Sequence, residues 1–208
     1  MRSDIPKQFL LLQGKPVLWH AIKAFTDAYP DLEIILVLPA GHQKAGEELI
    51  KEFSSHKSYI TTGGETRFQS VKNGLRFIQE KSIVFVHDGV RCLVTPELIR
   101  QCYDAAMEKG NAVPAIRATD TIRIENGSTN EPIDRNRIQL IQTPQTFLGE
   151  MLVNGFRQEY TPLFTDEASV VEKTGIPINI IPGDETNIKI TRPIDLVVAE
   201  TILQDRER

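Results

Sequence analysis

Short apolar runs alternate with longer amphipathic stretches along most of the chain. Three runs, Glu33–Leu38, Ser82–Val86 and the weaker Ala112–Ile116, are apolar at successive positions, as expected for strands covered on both faces. Between and around them, helical patterns cover about residues 16–28, 43–54, 66–79 and 96–109. This order of strands and helices predicts an α/β fold with a mostly parallel sheet and helices on both faces.

A different pattern occupies about residues 117–137, where polar and apolar positions alternate. An Asn-Gly-Ser turn at residues 126–128 divides the segment, which predicts a β-hairpin with at least one solvated face. A two-stranded hairpin is unstable on its own and needs a surface to pack against. Two interpretations are open: a flap on the surface of the same chain, or an arm that joins two copies.

The α/β pattern then resumes. The predicted elements are a strand at Gln139–Gln142, helices near 148–158 and 166–173, strands at Ile178–Ile181 and Asn187–Ile190, and a closing helix from about Pro193 to Leu203. We find no repeat or linker and predict one domain over residues 1–208. A doubly wound domain usually begins with a buried strand whose loop meets the ligand. Here a helical pattern stands almost at the start, so that first strand is missing from the sequence.

Composition narrows the class of protein. With 208 residues, 40% of them apolar and 25% charged, the chain has the composition of a globular domain with a substantial core. The formal net charge of −4 argues against a nucleic-acid partner. Cys92 and Cys102 have no zinc-type spacing and are expected to be reduced thiols. No stretch reaches the roughly 20 apolar residues that a membrane span needs, and we expect a cytoplasmic location.

The strongest local signal is Val86–Arg91, VHDGVR, directly after a predicted buried strand. Ligands of open α/β sheets bind beyond the carboxyl ends of the strands, which is where Asp88 and Arg91 should lie. The Asp88 carboxylate suits a hydrated Mg²⁺, and the Arg91 guanidinium suits a phosphate. The alternative is an Asp–Arg ion pair that only closes a loop. His87 has no partner histidine at ligand spacing and is expected to be a packed, hydrogen-bonded residue.

The glycine pair Gly63-Gly64 leads from a short strand into a helix, and glycines with a helix N-terminus suit close approach to an anionic or flat ligand. The alternative is that the glycine pair forms only a turn and that Arg67 and Ser70 lie on a solvated face of the helix. Other segments have similarly ordinary explanations: a helix cap for TDEAS at residues 165–169, a strand-edge lysine for Lys189, and an exposed loop lysine for Lys7.

Taken together, these segments resemble one family over nearly the whole chain. The matching segments are PKQF at residues 6–9, GGETRFQSV at 63–71, VHDGVR at 86–91, DT at 120–121, DR at 134–135, QTPQ at 142–145, TDEAS at 165–169 and NIKITRPIDL at 187–196. They are similar to 2-C-methyl-D-erythritol 4-phosphate cytidylyltransferases of the non-mevalonate isoprenoid pathway. The resemblance implies a Rossmann-like nucleotidyltransferase fold, a requirement for Mg²⁺, and transfer of a cytidylyl group from CTP to methylerythritol phosphate.

The resemblance also implies roles for individual residues. Lys7 and Lys189 would hold the reacting phosphates, and Asp88 would lie beside the metal and CTP. Residues lining the cytosine pocket would be Gly63, Gly64, Glu65 and Ser70. Methylerythritol phosphate would contact Arg91, Thr143, Thr165 and Lys189 from one protomer, and Thr121 and Arg135 from the hairpin of a neighbouring one. A homodimer joined by the hairpin follows from this assignment.

Two departures from the family pattern are visible. Cys92 stands where the family often has proline, which leaves the neighbouring charges in place. The usual first strand and Gly-rich loop are absent, and Met1 matches the end of that loop, so the first residues are interpreted as its trailing part. Two alternatives therefore stay open: a ribitol-5-phosphate cytidylyltransferase, which has similar QTPQ and HDxVR segments, and a non-catalytic nucleotide-binding or interaction remnant.

Overall fold

The structure is a computed structural model that describes residues 6–206. Residues 1–5, on which the expected end of a nucleotide-binding loop falls, lie outside the described residues. The helices are α1 (Val17–Ala28), α2 (Gln43–Ile50), α3 (Arg67–Gly74), α4 (Pro96–Lys109), α5 (Gly149–Gly155), α6 (Glu167–Glu172) and α7 (Pro193–Arg206). Short 3-10 helices occur at Lys7–Phe9, Lys51–Phe53, Leu75–Phe77 and Arg135–Arg137. No described helix has the length and apolar character needed to span a membrane.

The strands are short, and several are polar. In chain order they are β1 (Leu11–Leu12), β2 (Lys15–Pro16), β3 (Ile34–Leu38), β4 (Ser58–Thr62), β5 (Ile83–Val86), β6 (Asn111–Arg117), β7 (Ile122–Asn126), β8 (Thr129–Ile133), β9 (Gln139–Ile141), β10 (Gln145–Leu148) and β11 (Ile180–Pro182).

Local capping explains why the helices begin and end as they do. The Thr95 hydroxyl accepts a hydrogen bond from the Leu98 N–H at 3.2 Å, and Pro96 occupies the first turn of α4. Gly110, at φ 87°, ends the same helix in the left-handed conformation that glycine adopts without steric cost. The predicted bounds of α4 are therefore confirmed.

The sheet is less parallel than the sequence predicts. A five-stranded sheet has the order β11-β6-β10-β5, with β9 also paired to β6, and only the β6–β11 pairing in it is parallel. Strands β3 and β4 form a separate parallel pair. The expectation of a mostly parallel sheet is not confirmed, because β10 lies antiparallel between β5 and β6.

Strand β10 escaped the sequence analysis because two of its three buried residues are polar. Gln145 and Thr146 are at most 1% exposed, which an apolar pattern does not reveal. The Gln145 side chain is satisfied from α6: its Nε2 donates to the Asp166 carboxylate at 2.8 Å, and its Oε1 accepts from the Ala168 N–H at 2.8 Å. The strand is thus specified by a hydrogen-bonded network that links it to the TDEAS helix.

The predicted strand at Asn187–Ile190 is wrong. This segment is an extended loop, in which the Ile190 N–H donates to the Val90 carbonyl at 2.9 Å without a continuous ladder. The preceding strand also starts later than predicted, at Ile180 in place of Ile178. Single hydrogen bonds of this kind hold the loop against the segment that follows β5.

The segment predicted as a hairpin contains β7 and β8, which pair from Ile122 with Ile133 to Asn126 with Thr129. Gly127 forms the turn at φ 65°. Most residues of both strands are exposed, and Ile124 is 44% exposed. In the described part of the chain these two strands pair only with each other.

A cavity of about 400 Å³ separates the β3–β4 pair from the larger sheet. Residues 35–38 of β3 and 84–86 of β5 both line it, and within the described residues β3 pairs only with β4 and β5 only with β10. Helices α1 and α3 pack on both sheets. In α1, Phe25 contacts Phe85 edge to face, and Leu18 and Ile22 belong to the cluster around β3. The two sheets are held together by side-chain packing of helices, without a backbone ladder between β3 and β5.

The core of the larger sheet leads to a test of the fold. Phe147 on β10 is fully buried and belongs to a cluster with Leu152 and Val170, whereas Leu163 is 80% exposed. We expect Phe147→Ala to lower the free energy of unfolding by about 3–5 kcal/mol, because it removes buried apolar surface and leaves a cavity. Leu163→Ala should change it by less than about 0.5 kcal/mol. Urea denaturation followed by circular dichroism measures both; equal effects would contradict this assignment of the core.

Candidate functional site

Asp88 lies directly after β5 and is surrounded by cations. Its carboxylate is 2.8 Å from Lys189 Nζ, 3.4 Å from Arg67 Nη2 and 4.0 Å from Arg91 Nε. The Asp88 side chain is only 15% exposed. Burial alone would raise the pKa of Asp88, but the charges of Arg67 and Lys189 outweigh it and hold that pKa below its ordinary value. The group is therefore a carboxylate at neutral pH.

Arg91 is fixed mainly by backbone carbonyls. Its Nη1 donates to the Asn187 carbonyl at 2.7 Å and its Nη2 to the Ile141 carbonyl at 3.3 Å. The distance of 4.0 Å from Arg91 Nε to Asp88 is long for an ion pair. An Asp–Arg pair that only closes the loop therefore does not explain why the Arg91 guanidinium donates to two backbone carbonyls. These contacts instead tie the loop after β5 to β9 and to the loop before α7.

Thr143 and His87 support the backbone of Asp88. The Thr143 hydroxyl accepts from the Asp88 N–H at 3.1 Å and is 3.0 Å from His87 Nδ1. Burial lowers the pKa of His87 to about 4, so its imidazole is neutral near pH 7. Its Nε2 lies 3.0 Å from the Arg91 carbonyl. The expectation of a packed, hydrogen-bonded histidine agrees with this geometry.

The two lysines singled out by sequence, Lys7 and Lys189, each make one polar contact that links distant parts of the chain. Lys189 is in a loop and pairs with Asp88, so the alternative of a strand-edge lysine is wrong. Lys7 begins a short 3-10 helix, and its Nζ donates to the Thr191 carbonyl at 3.0 Å. Because Thr191 is two residues beyond Lys189, Lys7 contacts the segment that carries Lys189.

The glycine turn before α3 brings the backbone of Gly64 close to the side chain of Gln69. The Gly64 N–H donates to the Ser70 hydroxyl at 3.0 Å, and a Cβ at Gly64 would stand 2.1 Å from Gln69 Cγ. Gly63 is tied to β3, its N–H donating to the Leu38 carbonyl at 2.8 Å. Ser70 lines the same cavity as Asp88 and Lys189, while Glu65 is exposed. Only glycine fits at position 64, and the turn lies at the rim of the cavity.

Arg67 and Glu167 are site residues that sequence reasoning missed. Arg67 is 37% exposed, as the alternative of a solvated helix face expects, but it also pairs with two acids: its Nη2 lies 2.7 Å from Glu167 Oε2 and 3.4 Å from Asp88 Oδ1. Glu167 is 1% exposed, and burial raises its pKa to about 7 against the opposing charge of Arg67. Both residues stand in the segments that carry the family resemblance, but only the folded chain brings them together.

The TDEAS cap is present beside this pair. Asp166 accepts from the Ser169 N–H at 2.9 Å, and the Ser169 hydroxyl accepts from the Asp166 N–H at 3.2 Å, which completes a capping box. Thr165 is exposed, and its N–H donates to the Ser169 hydroxyl at 3.1 Å.

Two predicted site residues belong to the hairpin. Thr121 precedes β7, and Arg135 follows β8 with its Nη1 donating to the Thr119 carbonyl at 2.5 Å. Across residues 6–206, no hydrogen bond or ion pair joins Thr121, Thr165 or Arg135 to the Asp88 cluster. Within the described chain these three predicted site residues therefore lie outside the contacts of the Asp88 cluster.

The donor set at Asp88 limits what the site can bind. Residues 6–206 contain no group of three or more histidine, cysteine or acidic side chains that could hold a metal without further ligands. A single carboxylate is nevertheless a sufficient protein ligand for Mg²⁺ when substrate phosphates and waters complete the octahedron. Burial raises the pKa values of Cys92 and Cys102 to about 11 and about 12, which leaves both thiols protonated and unsuited to nucleophilic catalysis. The arrangement suits charge neutralisation of bound phosphates.

A sequence model of the family described as IspD, 2-C-methyl-D-erythritol 4-phosphate cytidylyltransferase, matches residues 1–205. The chain belongs to this family. It is 45% identical to the 2-C-methyl-D-erythritol 4-phosphate cytidylyltransferase of Bacteroides thetaiotaomicron over 204 residues, which cover 98% of this chain and 93% of that one. The resemblance inferred from the quoted segments is thereby confirmed.

Solved structures of the family agree with the fold. The 2-C-methyl-D-erythritol 4-phosphate cytidylyltransferase of Thermus thermophilus superposes with a TM-score of 0.76 at 30% identity, covering 96% of this chain and 94% of that one. A 4-diphosphocytidyl-2C-methyl-D-erythritol synthase superposes with a TM-score of 0.82 at 28% identity, covering 95% of each chain. Neither the ribitol-phosphate alternative nor the non-catalytic remnant is favoured by these family relationships.

Proposed function

We propose that this chain is a nucleotidyltransferase that joins CTP to 2-C-methyl-D-erythritol 4-phosphate, giving 4-diphosphocytidyl-2-C-methyl-D-erythritol and pyrophosphate. Family membership supports the reaction. The main structural support is the cluster of Lys189, Arg67 and Arg91 around the Asp88 carboxylate. Cations beside a cavity at the carboxyl end of a strand suit a ligand rich in phosphate.

The chemistry is an in-line displacement at phosphorus. A phosphate oxygen of the polyol phosphate attacks the α-phosphorus of CTP, a new P–O bond forms, and the bond to the departing pyrophosphate breaks. Negative charge spreads over the equatorial oxygens in the transition state, so catalysis rests on positioning and charge neutralisation. Lys7 and Lys189 would supply ammonium groups for this purpose: Lys189 pairs with Asp88, and Lys7 contacts the segment that carries Lys189.

We propose that the cytosine base binds at the turn before α3. Gly63 and Gly64 let the base approach the backbone, while the Ser70 hydroxyl and the Glu65 backbone offer hydrogen-bonding groups at the same rim. A base edge bound by hydrogen bonds is discriminated more sharply than one bound by apolar contact. This assignment places the base on the β3–β4 side of the cavity and the phosphates on the Asp88 side.

We further propose that Asp88 holds a divalent cation, Mg²⁺ in the first instance, together with the CTP phosphates. Such an ion supplies charge neutralisation at the phosphate oxygens. The carboxylate meets the donor preference of Mg²⁺, and its ionised state at neutral pH is the form that binds a cation. Lys189, now 2.8 Å from Asp88, would then turn toward the phosphates.

The polyol phosphate would lie beside Arg91 and Thr143 and extend toward Thr165. Thr121 and Arg135 would reach the same ligand from the hairpin of a second protomer, which makes the functional unit a homodimer. Support for this comes from the hairpin itself, whose exposed strands pair only with each other in the described chain. A two-stranded ribbon gains stability when it packs on a further surface.

Substrate choice tests the proposed function directly. Purified protein is given CTP and Mg²⁺ with either methylerythritol phosphate or ribitol 5-phosphate, and pyrophosphate release is followed. We expect turnover with the first substrate and little with the second. Faster turnover of ribitol 5-phosphate, or none with either, would overturn the assignment.

Lys189 should be needed for the chemical step more than for the fold. Its side chain is 47% exposed, so Lys189→Ala should leave the circular dichroism spectrum and the unfolding midpoint nearly unchanged. We expect kcat to fall by about 100-fold, the scale on which removal of one charge-stabilising donor acts. Lys57→Ala, which removes an exposed lysine paired with Glu33, serves as the matched control and should retain full activity. A normal kcat for Lys189→Ala would remove this residue from the site.

The shared site can be tested by mixing inactive variants. If Asp88 and Arg135 of different protomers form one site, a hybrid of Asp88→Ala and Arg135→Ala protomers has one intact site. Random mixing should then restore about a quarter of the wild-type activity, since half of the dimers are hybrids with one site of two intact. Native mass spectrometry verifies hybrid formation. Hybrids that form but recover no activity would count against an Arg135 role across the dimer.

A further inference from the structure

Glu167 is a fully buried acid that none of the roles proposed so far uses. It begins α6, is 1% exposed, and its Oε2 lies 2.7 Å from Arg67 Nη2. A carboxyl group in such a place is costly unless a cation or hydrogen-bond donor compensates it. The compensating group is Arg67, whose side chain is 37% exposed and extends to the site.

The same guanidinium nitrogen also faces Asp88. Arg67 Nη2 stands 2.7 Å from Glu167 and 3.4 Å from Asp88 Oδ1, while Lys189 holds the other oxygen, Oδ2, at 2.8 Å. The buried acid is thus the nearer of the two carboxylates and determines where the guanidinium lies. Without it, Arg67 would be free to close on Asp88 or to turn into solvent.

Arg67 also joins two parts of the molecule that no backbone ladder connects. It begins α3, the helix that carries Ser70 and follows the glycine turn, whereas Asp88 and Glu167 belong to the larger sheet and its helices. Phe68 of α3 stacks on Phe156 and Phe164 at ring-centroid distances of 4.7 and 5.6 Å, but these apolar contacts do not orient the charged groups.

We propose that Glu167 is a positioning residue: it anchors Arg67 so that the guanidinium fixes both the orientation of Asp88 and the distance from Asp88 to the Ser70 turn. This inference rests on the proposed function, because it gives the pair a part in binding CTP across the cavity. Misplacement of the two halves by about 1 Å can cost as much as 100-fold in rate in a site that works by positioning.

Equilibrium binding of CTP with Mg²⁺ and no second substrate, measured by calorimetry, tests the inference apart from turnover. We expect Glu167→Gln to weaken CTP binding by about tenfold and Glu167→Asp to recover part of the loss, since a carboxylate placed 1 Å away still attracts Arg67. Glu172→Gln, an exposed acid on the same helix, is the matched control and should bind CTP as the wild type does.

A double-mutant cycle separates positioning from a merely structural role. If Glu167 acts through Arg67, the Arg67→Gln variant loses CTP affinity to a similar extent, and Glu167→Gln adds little in that background. A lower unfolding midpoint with unchanged CTP affinity would overturn the proposal. Should Glu167→Gln not fold, Arg67→Gln decides the matter, because normal CTP binding by that partly exposed variant would also overturn it.

The outcomes also distinguish this inference from the proposed function. A wild-type protein that binds CTP but turns over no methylerythritol phosphate would remove the proposed reaction and leave the binding cycle valid. Normal turnover by wild type and Glu167→Gln alike would remove only the positioning role. Absence of CTP binding by the wild type would overturn both.

Discussion

The balance of charge around Asp88 is the interaction on which the site depends. A carboxylate that is 15% exposed persists in ionised form because Lys189 and Arg67 stand within 3.4 Å of it. The two arginines of the cluster are themselves held by other groups: Arg67 by a buried acid, Arg91 by two carbonyls. Ordered partners of this kind reduce the reorganisation that a phosphate ligand would otherwise require. The fold supplies these partners from segments fifty or more residues apart, which is why the site exists only in the folded chain.

Buried polar side chains also orient other elements of this molecule. Gln145, Asn187 and Glu167 are each at most 1% exposed, and two of them link elements that an apolar core alone would not orient. Gln145 connects β10 to α6, and Asn187 donates to the Thr143 carbonyl at 2.9 Å. Hydrogen bonds between buried polar groups favour one arrangement of the elements among several of similar packing. The region behind the site is built in this way, while the outer helices rely on ordinary apolar packing.

The difference between apolar packing and buried polar contacts explains which features the sequence pattern predicts. Helices with clear caps, such as α4, and strands with apolar runs, such as β3 and β5, follow from periodicity and capping alone. Strand β10 does not, because two of its three buried side chains are polar and the partners of Gln145 lie about twenty residues away. The loop at Asn187–Ile190 fails in the opposite way: its alternation is that of a strand, but no neighbour offers a ladder. In the site, Asp88, Lys189 and Thr143 were accessible through family resemblance, whereas the pairing of Arg67 with Glu167 depends on a contact across one hundred residues that a linear pattern does not contain.

The separation of β3 from β5 has a consequence for the width of the candidate site. In the described chain no hydrogen-bonded ladder joins the two strands, and both line the cavity that Asp88 and Lys189 also line. Backbone hydrogen bonds hold neighbouring strands of a sheet about 4.8 Å apart, whereas side-chain packing sets no single spacing. The width of the cavity therefore depends on the side chains of helix α1 that contact both strands, among them Leu18 beside β3 and Phe25 beside β5.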